Sequence, residues 1–268
     1  MARDDPNLME TGRPPSCLSL PMQGAPETPG EFLVVAIGAS AGGLEACRKL
    51  LAALPAGNGM AFILVQHLDP HHESMMVDLL AGHTAMTVQQ VTDGILLEPA
   101  HFYVIPPGTY LSVAQGALHL SQPQARHGAR LPFDFLLHSL AEQYGARAVC
   151  LILSGTGADG SIGLKSVKEQ FGFVIAQAPE EASFDGMPRN AIMTGAVDVV
   201  LPISEIPDAL AKYARGMAFN RADRGRTPPD RVTDRLPEII DLLRQKTSRD
   251  FTFYKQGTLR RRIERRMA

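Results

Sequence analysis

The chain has 268 residues, enough for one large domain with an appendage or for two domains. Its 45% hydrophobic and 20% charged residues exclude a wholly disordered chain, and no apolar run approaches the roughly 18 residues of a membrane-spanning helix. The net charge of −2 divides unevenly: residues 31–218 carry 10 basic and 17 acidic side chains, whereas residues 219–268 carry 14 basic and 7 acidic ones. An acidic body with a basic tail points to two units with different partners.

Residues 1–30 are rich in Pro, Ser, Thr and Gly without apolar periodicity, and read as a disordered leader. Phe32–Ile37 is a short apolar run of the kind buried in a parallel sheet. The turn Gly38-Ala39-Ser40-Ala41-Gly42-Gly43 follows, and then Leu44, Cys47, Leu50, Leu51 and Leu54 recur at helical spacing. Ala61–Val65 is a second strand, ending at Gln66-His67, and Ser74–Leu80 reads as a helix. Residues 86–120 read as short strands joined by turns, an antiparallel flap. Phe133–Tyr144 is an amphipathic helix. Ala148–Leu153 is a third apolar strand, followed by a Gly-rich turn through Asp159 and a helix to about Phe171. Strands at Phe173–Ala176 and Val197–Leu201 and a helix from Glu205 to Tyr213 complete the pattern. Residues 216–234 are polar and read as a linker. Helices are expected from Leu236 and around Thr258–Met267.

This alternation predicts an α/β fold: a doubly wound, largely parallel sheet with helices on both faces, a small antiparallel flap and a C-terminal helical segment. The three cysteines, Cys17, Cys47 and Cys150, form no CxxC pair, which argues against a disulfide framework or a zinc site. Pro21 and the acidic residues before it do not form a secretory signal, so a cytoplasmic protein without membrane insertion is expected.

Three residues are candidates for chemistry. Ser40 lies in a Gly-x-Ser-x-Gly turn between a buried strand and a helix, the spacing of a nucleophile elbow. The same turn would also serve to bind a phosphate or to pack a helix on a strand. His67 follows the end of a buried strand, where ligand sites gather in open α/β sheets. It is equally readable as a structural histidine, and His71 and His72 nearby lack convincing metal-ligand spacing. Asp159 also follows a strand; alone it reads as an Asp-Gly turn or as the N-cap of the helix after it. Taken together, the three fall at the same edge of one sheet. A Ser, a His and an Asp converging there form a constellation for acyl transfer, in the chain order Ser…His…Asp.

Residues 32–215 resemble the catalytic domain of the chemotaxis protein-glutamate methylesterases (CheB type). The matching segments are VVAIGASAGG at 34–43, LVQHL at 64–68, LILSGTGADG at 151–160, FDGMPRNAI at 184–192 and GAVDVVLPISEI at 195–206. The resemblance implies a serine hydrolase that removes methyl esters from glutamates of methylated chemoreceptor helices. Glutamine deamidation is a further implied activity. Ser40, His67 and Asp159 are the implied catalytic residues, with no cofactor and no metal. Family members commonly carry Thr where this chain has Ala41 and often Met where it has Thr156, near the expected oxyanion hole. Backbone N–H groups can serve an oxyanion whatever these side chains are. The residues before the domain are too few for a receiver domain, so control by a phosphorylated receiver within this segment is not expected.

LPEIIDLLRQKTSRDFTFYKQGTLRRRIERRM at 236–267 is similar to the start of the N-terminal helical domain of the receptor methyltransferases (CheR type). That implies a fragment of a methylesterase–methyltransferase fusion, without methyltransferase activity of its own. The expected organisation is a leader over residues 1–30, the methylesterase domain over 31–215, a linker over 216–234 and the truncated helical domain over 235–268. Two rivals belong to other classes. One is a signalling or scaffold module of the same fold with weak or no catalysis. The other is a nucleic-acid binder resting on the tail's arginines alone, and no nucleic-acid partner is expected.

Overall fold

The computed structural model describes residues 32–55, 57–66, 75–122, 131–222 and 236–242, with positions 259 and 263. The leader, His67 and most of the C-terminal segment lie outside the described residues.

The chain opens with β1 (Val34–Ala39), α1 (Gly43–Ala53), β2 (Ala61–Gln66) and α2 (Met76–Ala81). It continues through five short strands: β3 (Thr87–Gln90), β4 (Ile95–Leu96), β5 (His101–Val104), β6 (Tyr110–Ala114) and β7 (Ala117–Ser121). Next come α3 (Pro132–Tyr144), β8 (Ala148–Ile152), α4 (Gly163–Glu169), β9 (Phe173–Gln177), α5 (Gly186–Met193), β10 (Val199–Leu201) and α6 (Ile206–Ala222). No helix among the described residues is long and apolar enough to cross a membrane.

Seven strands form one sheet in the order β10-β9-β8-β1-β2-β5-β3, and every neighbouring pair runs parallel. The sheet is buried on both faces. Val34 and Ala36 of β1 face one apolar layer, built with Phe133, Leu136, Leu137 and Leu140 of α3 and Leu164 and Val167 of α4. Val35, Ile37 and Ala39 face the other, built with Cys47, Leu50 and Leu51 of α1 and Ile206 and Leu210 of α6. Successive strand side chains point to opposite faces, so a run such as VVAI must be apolar at every position. This is the doubly wound architecture expected from the sequence.

The flap is smaller than expected. Only β4, β6 and β7 form the antiparallel sheet; β3 and β5 join the main sheet. The reason is visible in the burial. Phe102, Tyr103 and Val104 are buried in succession, as an inner parallel strand requires, whereas Tyr110–Ala114 alternates between buried and half-buried positions. A tight turn lies at Gln115-Gly116. Both residues have positive φ, and they join β6 to β7 with Ala114 opposite Ala117. α5 has no counterpart among the helices expected from sequence. Its Gly186 and Pro188 disguise it, but a Pro in the first helical turn removes only an N–H that lacks an intrahelical partner. The helix expected to end at Tyr213 runs on to Ala222.

The strand order reverses beside β1. From it the chain moves outward through β2 on one side and later returns to add β8, β9 and β10 on the other. Such a reversal leaves a crevice at the C-terminal ends of the two strands that flank it, here β1 and β8.

Candidate active site at the strand-order reversal

Ser40 is the first residue after β1, and Asp159 lies in the loop after β8, so the two strands flanking the reversal deliver them to one edge. Gln66 is the last residue of β2 and precedes His67, which itself lies outside the described residues. Gln66 Nε2 lies 3.5 Å from the carbonyl oxygen of Ser40, while its Oε1 is buried with no hydrogen-bond partner among the described residues.

The turn that carries Ser40 is fixed peptide by peptide. The Ser40 N–H donates to the carbonyl of Ser154 (3.1 Å), and the Ser40 carbonyl accepts from the Gly43 N–H (2.9 Å). The Ala41 carbonyl accepts from the Ser154 hydroxyl (2.9 Å). Gly42 then takes φ +74°, a left-handed conformation that turns the chain from strand into α1 and that a side chain would resist. Ser40 is half-buried, and α1 starts behind it with N–H groups that favour negative charge in front of them.

Backbone donors near Ser40 divide into committed and uncommitted. The Ser40 and Gly155 N–H groups are spent on Ser154 and on the Phe184 carbonyl (2.9 Å). Among the described residues, the N–H groups of Ala41 and Thr156 have no acceptor. Ala41 and Thr156 therefore each offer a backbone donor at this edge, independent of their side chains.

Asp159 is buried, and its two carboxylate oxygens accept from successive N–H groups at the start of α3: Phe133 to Oδ2 (3.1 Å) and Asp134 to Oδ1 (3.0 Å). It is thus a cap, but not of the helix that follows it. That role falls to Asp134, whose Oδ1 accepts from Ile162 (3.0 Å) and Gly163 (2.6 Å) at the start of α4. Anchoring both oxygens sets the orientation of the Asp159 carboxylate. Only four polar or charged side chains among the described residues are fully buried, namely Asp134, Ser154, Asp159 and Gln177, and all lie at this end of the sheet.

Sequence reasoning singled out Ser40 and Asp159 and missed Asp134, Ser154, Gln177 and Gln66. Three of the missed residues share a signal. Gln66 ends AFILV, Ser154 ends AVCLIL, and Gln177 ends FVIA, so each is the polar residue that terminates an apolar strand. A polar group there sits where the sheet stops and a site can begin.

The family model for CheB methylesterases matches residues 35–210, and that for the all-alpha domain of CheR methyltransferases matches residues 234–268. The protein-glutamate methylesterase FrzG of Myxococcus xanthus is 35% identical over 196 residues, covering 72% of this chain and 59% of its own length. A protein-glutamate methylesterase/protein-glutamine glutaminase of Chromohalobacter salexigens is 35% identical over 218 residues, covering 79% of this chain and 60% of its own length. The chain thus spans about six-tenths of the length of these relatives. The crystal structure of the Thermotoga maritima CheB methylesterase catalytic domain superposes with a TM-score of 0.64 at 30% identity, covering 68% of this chain and 99% of that one.

Proposed function

The chain belongs to the CheB methylesterase family, and on that footing we propose that it hydrolyses methyl esters of glutamate side chains on chemoreceptor helices in the cytoplasm. Ser40 is the nucleophile, His67 the general base and Asp159 the carboxylate that holds the imidazole. The observation that carries this reading is the delivery of Ser40 and Asp159 by the two strands flanking the reversal, with His67 next in sequence after the end of β2.

As Ser40 Oγ attacks the ester carbonyl, its proton passes to His67. The carbonyl π electrons move onto oxygen, and the oxyanion lies against the Ala41 and Thr156 N–H groups. On collapse the C–OCH3 bond breaks, and methoxide takes the proton from His67 and leaves as methanol. Water then attacks the acyl-enzyme with His67 again as base, releasing the glutamate and restoring the Ser40 hydroxyl. A glutamine side chain would follow the same course with ammonia as leaving group. The anchored Asp159 carboxylate steadies the imidazolium without moving.

The test is methanol release from methylated receptor by the Ser40→Ala variant. Loss of release with unchanged thermal stability is expected, because the change removes one hydroxyl and no core volume. Methanol release at the wild-type rate would require another nucleophile. A wild-type protein that releases none would favour a scaffold role.

A further inference from the structure

Ser154 is the second residue after β8 and is only 1% exposed. All its polar groups are engaged around the nucleophile turn. Its carbonyl takes the Ser40 N–H, and its hydroxyl donates to the Ala41 carbonyl. The same hydroxyl accepts the Phe184 N–H at 3.0 Å. Its own N–H donates to Gln177 Oε1 at 2.8 Å. Gln177 is likewise 1% exposed and ends β9, the strand next to β8.

These contacts grip the peptide before Ser40 and the peptide after Ala41. The peptide between them, Ser40–Ala41, is left with its N–H uncommitted at the site. The hydroxyl also occupies the space above Gly42, since a Cβ there would stand 2.7 Å from Ser154 Oγ. A single buried hydroxyl therefore ties three loops together: the nucleophile turn, the loop after β8 and the loop before α5. We infer that Ser154, braced by Gln177, is a positioning residue that sets the attack geometry of Ser40 and aims the Ala41 N–H at the oxyanion. This rests on the reading of Ser40 as the nucleophile.

A displacement of about 1 Å at a reacting group can cost on the order of 100-fold in rate without touching substrate. Removing the hydroxyl frees the Ala41 carbonyl and the Phe184 N–H together, so the turn relaxes, while Ser154 itself, 1% exposed, is out of reach of a substrate. The loss is therefore expected in kcat and not in KM.

The experiment measures kcat and KM for methanol release from methylated receptor in the full chain, with the folded fraction set by thermal unfolding. Wild type, Ser40→Ala, Ser154→Ala, Ser154→Thr and Gln177→Leu are compared. Expected are a roughly 10- to 100-fold lower kcat in Ser154→Ala with KM within about twofold, and a smaller fall in the same direction in Gln177→Leu. Ser154→Thr keeps the hydroxyl and is expected to recover most of the loss. A folded Ser154→Ala with wild-type kcat overturns the inference. So does a Ser154→Thr variant as slow as the alanine, which would mean that packing and not the hydroxyl matters. If Ser154→Ala fails to fold, an unchanged kcat in Gln177→Leu overturns it. Equal activity in Ser40→Ala and wild type would instead remove the nucleophile reading beneath it.

Discussion

Asp134 and Asp159 exchange caps. Asp159, just ahead of α4, closes the N-terminus of α3, and Asp134, in the first turn of α3, closes the N-terminus of α4. Four backbone N–H groups that have no partner inside their own helices are satisfied by two buried carboxylates. Neither helix carries a side-chain cap from its own N-cap residue. The exchange joins the loop bearing Asp159 to α3, and α3 packs its Phe133, Leu136 and Leu137 against the central strands. The orientation of Asp159 is thereby referred to the core of the domain and not to a surface loop.

Asp134→Ala should be among the more destabilising single changes at this edge. It leaves the Ile162 and Gly163 N–H groups without an acceptor in a buried setting, a loss of about 2–3 kcal/mol. Asp134→Asn retains one acceptor oxygen and should lose about 1 kcal/mol. Urea denaturation of the two variants beside wild type measures this. Equal stability of the alanine and wild-type proteins would mean that the exchange contributes nothing.

Asp159→Asn separates orientation from charge. One oxygen can still accept from α3, but the amide nitrogen then faces an N–H donor, so one of the two anchoring bonds is lost. Stability should fall by about 1–2 kcal/mol. If Asp159 serves His67 as proposed, methanol release should fall on the order of 10⁴-fold, as when the carboxylate of a serine-protease triad is replaced by an amide. A loss of turnover no larger than the loss of folded protein would assign Asp159 to structure alone.

Gly155 packs directly against the nucleophile. A Cβ there would lie 2.3 Å from Met187 Sδ and 3.0 Å from both the Cβ and the N of Ser40. The methionine can swing aside, but the Ser40 backbone is held by Ser154 and cannot. Gly155→Ala should therefore lose about 1–3 kcal/mol of stability by overpacking, and should lose activity out of proportion to stability. Circular dichroism melting together with a methanol-release assay tests this, and full activity in a destabilised variant would contradict it.

Five of the seven strands of the main sheet, and the position of Ser40 and Asp159 at its edge, were legible because buried parallel strands write themselves as unbroken apolar runs, and the residues just past such runs stand at that edge. FLVVAI, AFILV and AVCLIL each name a strand. The region 86–120 was harder, because His101–Val104 and Tyr110–Ala114 are both short and partly apolar. Only burial on two faces distinguishes the first as a member of the main sheet. The exchange between Asp134 and Asp159 was not legible. The two are 25 residues apart, and a carboxylate near a helix start reads locally as the cap of its own helix. Nothing in the order of residues announces that each serves the other.

Cys47 and Cys150 predict the alkaline limit of the fold. Both are free and buried in the two apolar layers, Cys47 on α1 and Cys150 on β8. Burial pushes the Cys47 thiol from 9.0 up to about 12. Burial first, and then the neighbouring Asp134 carboxylate, push Cys150 well above its ordinary value too. Burial also raises Tyr103 and Tyr144. In each case the folded protein keeps its proton at a pH where the unfolded chain has released it. Stability is therefore complete below pH 9 and falls as pH rises towards 12, by about 1.4 kcal/mol per unit for each thiol. Urea midpoints at pH 8.0 and 10.5 should show this loss. Cys47→Ala should begin from a lower stability, because it leaves a small cavity, and then fall less steeply with pH by about 2 kcal/mol over that interval. The tyrosines and Cys150 are common to both proteins, so the difference in slope belongs to Cys47. Identical slopes would show that the Cys47 thiol ionises in the folded state as it does in water.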